Sequence, residues 1–474
     1  MIQMARVFDQ LESLTIYGFF RDFETVLQYP DATFLNINIE GVRADEVLEH
    51  PDVTVEIDIL PFDPVIRAVW TPSNIVMDQT NRKMYTLCAH TGSGYKHLEK
   101  IFQFDANTWD YERNWDSASS TRLPAADAVT FNDIFINRHI WPRTDRGDGK
   151  YMVMATKGAM ESRHVAVLDT QSNSIKYFNF DSNATYGLTK NTSYNESYIN
   201  PSIGLPRIIH THISEALDRV YVCLIGTYYY QRRIVIGYFD LTEDGPTYTF
   251  NHVVYEYNLV TEIQLVGTGV TGYGGFKVFP TENKIILSSL QTNTSYTGFL
   301  LIWNLDTGTR THYYRQSAYP AFPVLGIGAF HLYGGSLYGR IVYNSSQSES
   351  RGLCKIDLSS HVITFFRPGY ATLNDYGFPE IIAGPAGRLL MTHYGYGVAE
   401  YTISSNTWKL YNNTTVPGMA PLVDGSRLHK FARGLAFDPR TYAIMAGHGY
   451  SSDGHNQWGH ALWERFISIF QADI

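Results

Sequence analysis

Histidine, tyrosine and arginine gather in a few short segments of this 474-residue chain. AHTGSGYKH supplies His90 and Tyr95, GTYYYQRR supplies Tyr229 and Arg233, and THYGYG supplies His393 and Tyr396. RLHKFARGLAFDPRTYAIMAGHGY carries His429, Arg433, His448 and Tyr450, and Arg138, His139, Arg207 and His210 extend the set. Residues of these types suit a glycan. Aromatic faces stack on sugar rings, while Arg and His donate hydrogen bonds to hydroxyls and to the carboxylates of acidic sugars. No obvious pair of carboxylates accompanies them, so the chemistry of a glycoside hydrolase is the less attractive reading.

A second grouping points to a metal. In IIHTHIS, His210 and His212 lie two apart on an expected strand and so share a face. A divalent ion held there needs a third ligand, for which His139 and His331 are the candidates. The alternative is a hydrogen-bonded pair near the centre of the fold, with no cofactor. Other motifs fail on context. Gly267, Gly269 and Gly272 have dinucleotide-loop spacing, but GGFKVFP follows as a strand where a helix is required. Arg146-Gly147-Asp148 fits an ordinary hairpin tip. Seven N-x-S/T sequons, at Asn183, Asn191, Asn195, Asn293, Asn344, Asn412 and Asn413, mark exposed polar loops.

The elements that must position these residues form a repeat. An apolar run, usually an Asp, a polar turn and another strand recur at Asp105, Asp169, Asp240, Asp306 and Asp357, with Thr402 in the Asp position of a sixth copy. A strand–turn–strand unit precedes each copy, with comparable points at Met84, Tyr151, Val220, Ile285, Leu337, Leu389 and Tyr442. A four-stranded unit repeated this way cannot bury both faces alone, so neighbours must stack around an axis. Residues 53–474 therefore resemble β-propeller proteins, with seven blades expected. Neither a WD dipeptide nor a kelch double-glycine pattern recurs, so no subfamily is specified. Blade seven lacks an outer strand after ALWERFISIF, and VTVEIDIL (53–60) is expected to supply it and close the ring.

In a propeller, the loops after the second strands and the approaches to the first strands emerge on one face. That face would collect the His, Tyr and Arg residues above. Residues 1–52 fall outside the ring. Met4, Val7, Phe8, Leu11 and Leu14 have helical spacing, TFLNINIEG alternates as a strand, and RADEVLEH reads as a second helix. This predicts a small α/β appendage serving attachment or oligomerisation, or else a cap on one blade.

The segment from Arg427 to Tyr450 also resembles the blade of propeller-type polysaccharide lyases that carries paired histidines. The resemblance implies equivalent roles for His429 and His448, with Tyr450 nearby and Arg433 neutralising a substrate carboxylate. β-Elimination needs such a set: a base for the proton α to the carboxylate, an acid for the leaving oxygen, and a cation for the enolate.

Composition narrows the remaining classes. The net charge of −9 disfavours a general nucleic-acid binder, and no apolar run is long enough to span a membrane. No secretory signal is evident in MIQMARVFDQ, and Cys88, Cys223 and Cys354 each sit in apolar stretches that suit buried thiols. Tyr, Asn, Thr and Gly are abundant and Lys is scarce. The leading expectation is a virion protein, of a virus or phage, whose propeller face binds a glycan or surface receptor. Residues 1–52 would contact other virion proteins, and a homo-oligomer is compatible. The enzymatic alternative is a polysaccharide lyase acting on acidic glycans. A further alternative is an intracellular, cytoplasmic propeller scaffold for protein partners.

Overall fold

The computed structural model describes residues 14–19, 35–40, 62–116, 139–142, 151–155, 164–179, 207–226, 233–256, 275–289, 298–341, 352–369, 380–419, 423–451 and 466–472, with short gaps. The described residues are all β, without helices. Sheet one comprises Thr71–Asp78, Lys83–Gly92, Tyr95–Asp105 and Tyr111–Asp116, and sheet two His139–Pro142, Tyr151–Ala155, His164–Asp169 and Ser174–Asn179. Sheet three has Arg207–Ser214, Arg219–Gly226, Arg233–Thr242 and Asn251–Glu256, with Gly245–Pro246 added at one end. Sheet four has Phe276–Phe279, Lys284–Ser289, Phe299–Asn304 and Arg310–Arg315. Sheet five has Ile327–Tyr333, Ser336–Ile341, Leu353–Asp357 and Ile363–Phe366, and sheet six Ile381–Ala383, Arg388–His393, Gly397–Thr402 and Thr407–Tyr411. The last sheet runs Val423–Asp424, Arg427–Asp438, Ala443–Ser451, Phe466–Gln471 and Val65–Ala68.

Each sheet touches the next, and the last touches the first through Arg427–Asp438 against Thr71–Asp78. The result is a propeller-like ring. Its core lies between sheets. Phe276, Val278, Leu287, Leu301 and Trp303 of sheet four pack on Tyr221, Cys223 and Ile236 of sheet three. On the other side, Ile286, Leu300, Ile302 and Tyr314 meet Phe330, Leu332 and Ile356 of sheet five. Phe299–Asn304 is buried at every position but its last, which is why FLLIWN reads as an unbroken apolar run.

Turn chemistry repeats with the strands. The carboxylates of Asp105, Asp169 and Asp357 each accept backbone N–H bonds two and three residues on, at 2.8–3.2 Å. These are the side-chain turn mimics that favour Asp at this position. The Ser359 and Ser360 donors hold the Asp357 carboxyl well below the usual range. In sheet four Asn304 plays this part, bonding the N–H groups of Asp306 and Thr307 at 3.0 and 2.9 Å. Asp306, the repeat position in the sequence, lies two residues further on. Asp240 also departs from the pattern, pairing with Arg219 across the ladder at 3.1 Å.

The ring is closed by an upstream strand, but a different one from that expected. Val65–Ala68 pairs antiparallel with Phe466–Gln471, matching Val65 to Ile469 and Ala68 to Phe466. Residues 53–60 lie outside the described residues. Arg67 explains the choice of segment. Its guanidinium donates to the Trp109 carbonyl and pairs with Asp110 at 3.0 Å, tying this strand to sheet one. Phe62 and Val65 pack beside Trp109, Ile467 and Ile469. The longer alternating run carries the stronger sequence pattern, whereas the ring uses the one that reaches its first sheet.

Of residues 1–52, Leu14–Phe19 and Leu35–Glu40 are described, as a parallel pair with Leu14 opposite Leu35. The strand expected in TFLNINIEG is present. Leu14 lies on a strand where helical spacing suggested a helix, and both expected helices otherwise fall outside the described residues.

Candidate functional site

Antiparallel order fixes where each functional position emerges. In every sheet the first-to-second turn lies on one face of the ring, and the second-to-third loop on the opposite face. His90 and Tyr95 stand at the ends of the second and third strands of sheet one, with His90 opposite Leu98 and Tyr95 opposite Gly92. His139 and Arg207 open first strands, and Arg233 opens a third strand opposite Gly226. His393 closes the second strand of sheet six and Tyr396 precedes its third. All of these positions belong to the loop face. Arg138 and Tyr229 lie outside the described residues.

The last sheet presents the longest first strand. Arg427–Asp438 runs twelve residues, with His429 opposite Tyr450 and Phe431 opposite His448. The ladder breaks between Phe431 and Leu435, which places Arg433 in a bulge. Comparable irregularities interrupt the first strands of sheets one, three and five, at Pro72/Asn74, Ile208/His210 and Ile327/Phe330. Bulges re-aim side chains and concentrate beside functional sites. Here they gather towards the loop-face end of the ring's inner wall.

Two of the expected ligand-binding residues lie inside the fold. His210 is buried opposite Cys223, its ring 6.0 Å from Phe276. His393 is buried against Tyr396, the rings stacked at 4.8 Å. Burial and the nearby Arg340 charge push the His393 imidazole down to about 4. A buried neutral imidazole supports the fold above the ordinary value of 6.5 and opposes it as the pH falls from there towards 4. Melting temperature is therefore expected to drop over that window. The His393→Gln variant should show a shallower drop, and an unchanged acid profile would show that His393 is not its source.

Among the described residues, no group of three or more His, Cys, Asp and Glu side chains is placed to hold a metal ion. His212 is half-buried two register positions from His210, and His331 stands in sheet five beside Phe279. Cys223 and Cys354 are buried free thiols. Asn412 of two overlapping sequons is mostly buried. Its amide caps the turn through Thr414 and Thr415 and donates to the Tyr396 carbonyl.

The inner wall also carries a cluster that the sequence reading missed. Lys277, on the first strand of sheet four, donates to the Ile381 carbonyl of sheet six at 3.2 Å. A bond between non-neighbouring sheets must cross the centre of the ring. Glu380, adjacent to Ile381, accepts the N–H of Gly434 from the last sheet at 2.8 Å. Burial lowers the Lys277 ammonium, and the Glu380 carboxylate acts in the opposite sense. His331 is pushed down to about 3 by burial and by the Lys277 charge. All three residues are half-buried. The arrangement offers one cation, one carboxylate and a neutral imidazole. A signal was present in GGFKVF, where a lysine interrupts an apolar strand, but nothing local tells an inward lysine from a solvated one.

The fold and this wall define a propeller-like all-β protein with a polar centre. No known protein family matches the chain, and no curated protein matches it. Among solved structures, a 6-phosphogluconolactonase candidate from Bacteroides fragilis is similar over 72% of this chain and 83% of its own length. The identity is 12% and the TM-score 0.41. A likeness of that degree carries no argument about activity.

Proposed function

We propose that the protein is a seven-bladed propeller borne on a virus or phage particle, whose loop face binds a glycan or receptor. The blade count takes each large sheet of the ring as one blade. The observation that carries the binding reading is topological: His, Tyr and Arg positions from five different sheets reach one face through the antiparallel order of their strands. Attachment through residues 1–52, association with other particle proteins and self-association belong to the same reading. A glycan array, read with surface capture on candidate host cells, tests it. His448→Ala and Arg433→Ala are expected to weaken capture while leaving thermal stability nearly unchanged. Destabilised variants with intact capture would sink the assignment of these residues.

A second reading, a polysaccharide lyase acting on acidic glycans, is favoured by one feature. His429 and Tyr450 stand opposite in the ladder, His448 follows opposite Phe431, and Arg433 occupies the intervening bulge. The Lys277 ammonium at the centre suits a uronate carboxylate. Elimination would appear as new ultraviolet absorbance from the conjugated product. In that case His448→Ala should lose turnover by at least ~100-fold, the lower end of one acid–base group's contribution. Lys277→Met should raise KM for an acidic glycan more than it lowers kcat. Equal effects on neutral and acidic glycans would remove Lys277 from this role.

A further inference from the structure

On the opposite, turn face, a cleft of about 560 Å³ opens between sheets three and four. Its size falls within the ~300–1,000 Å³ typical of small-molecule sites. Sheet three contributes Leu217, Arg219, Tyr221, Tyr238, His252 and Val253, and the turns of sheet four contribute Pro280, Asn283 and Leu305–Thr307. We propose that this cleft binds a neutral pyranose, such as the terminal residue of a glycan chain, independently of the loop face.

The lining chemistry selects that class. Arg219 is held flat over the Tyr238 ring, 3.9 Å from its centroid, and its Nε donates to Asp240 at 3.1 Å. The guanidinium bonds Asp240 through its inner nitrogen and also engages the Tyr221 hydroxyl, and its remaining N–H groups serve as fixed donors at the wall. Asp306 faces them across the cleft. Its side chain and N–H are held by Asn283 at 2.6 and 3.2 Å, and its remaining oxygen is a placed acceptor. The lining is mostly polar, with apolar patches from Leu217, Val253, Pro280 and Leu305 between the polar groups. Burial lowers the His252 imidazole, so it adds a neutral donor or acceptor. A mostly polar lining, with donors on one side, acceptors on the other and small apolar patches between, matches a ring rich in outward hydroxyls with small apolar C–H faces.

Charge excludes the acidic alternative. Asp240 already neutralises Arg219, and Asp306 adds a second carboxylate, so the cleft is net negative. A uronate or phosphate would meet repulsion. The cleft is also preformed. Gly308 sits at φ 64°, and a Cβ there would lie 1.8 Å from the Val253 carbonyl oxygen. The sheet-four turn thus rests directly on the outer strand of sheet three, which fixes the width of the cleft.

Saturation-transfer difference NMR on the full chain tests the proposal. The probes are the methyl glycosides of galactose, mannose and fucose, with methyl glucuronide as the acidic control. At least one neutral glycoside should bind, and more tightly than the glucuronide. Arg219→Met and Asp306→Asn should each weaken it by ~10-fold or more, the equivalent of one charge-assisted hydrogen bond. Thr307→Trp, a change at an exposed turn position, should fill the mouth and abolish the signal without unfolding the ring. Absence of binding by every neutral glycoside, preference for the glucuronide, or binding that survives Thr307→Trp overturns the proposal. A signal lost in His448→Ala but retained in Thr307→Trp would assign the sugar to the loop face instead.

Discussion

Replacing Arg82 with alanine is expected to destabilise the protein by about 3–5 kcal/mol, the cost of leaving one buried partner of an ion pair uncompensated. Arg82 lies in the first turn of sheet one and reaches into the last sheet. Its two outer nitrogens donate to both oxygens of Asp438, at 3.1 and 2.8 Å. Asp438 is fully buried and the Arg82 side chain nearly so. The same guanidinium donates to Ala106, Asn107 and Gln79, so all its nitrogens are engaged. Arg440 N–H and the Thr441 hydroxyl complete the shell of Asp438. The two residues are far apart in sequence, and the pair fastens the first sheet to the last. Chemical unfolding of Arg82→Ala should show a lower midpoint and a slope pointing to opening at this junction. Arg82→Met combined with Asp438→Leu should recover much of the loss, because the charge that suffers is then gone. A loss below about 1 kcal/mol for Arg82→Ala would mean that Asp438 finds water, and that the pair is no lock.

Much of the ring was legible because its signals are local and repeated. The strand-to-strand units around Met84, Val220, Ile285, Leu337 and Leu389 each correspond to a first-and-second-strand hairpin. Each joins two strands rich in apolar residues through a turn that places one residue at positive φ: Arg82, Asp218, Asn283, Gly334 and Gly387. Where the turn register slips, the reading slipped with it. Asn304 and Asp306 both satisfy a polar turn pattern, and only the hydrogen bonds identify Asn304 as the cap. The centre was less legible. Lys277 and Glu380 are brought together by sheets more than a hundred residues apart, and His210 and His393 look like surface donors until the ring encloses them. Burial of an inner-wall side chain depends on neighbours that sequence spacing does not reveal. The turn-face cleft has the same origin, since Arg219 and Asp306 face each other only because sheet three packs against sheet four.

Truncation should distinguish the closing strand from the segment before it. A chain beginning at residue 61 keeps Phe62 and the Val65–Ala68 strand and is expected to melt close to the full chain. A chain beginning at residue 70 loses the outer strand of the last sheet. Ile467 and Ile469, now fully buried, would lose their Val65 and Phe62 cover, and the Arg67 bonds to Trp109 and Asp110 would disappear. Each apolar side chain returned to water costs about 1.5–3 kcal/mol, and each lost ladder bond about 1 kcal/mol. The expected penalty is thus about 3–6 kcal/mol, together with an unpaired edge on Phe466–Gln471 that invites association with other chains. The measurement is paired: melting temperature, and particle size by light scattering. Loss of stability already in the chain beginning at residue 61 would transfer closure to residues upstream of Phe62. Equal stability of both truncations would mean that the ring holds without its outer strand, and that Arg82–Asp438 and the contacts of Arg427–Asp438 with Thr71–Asp78 carry the closure alone.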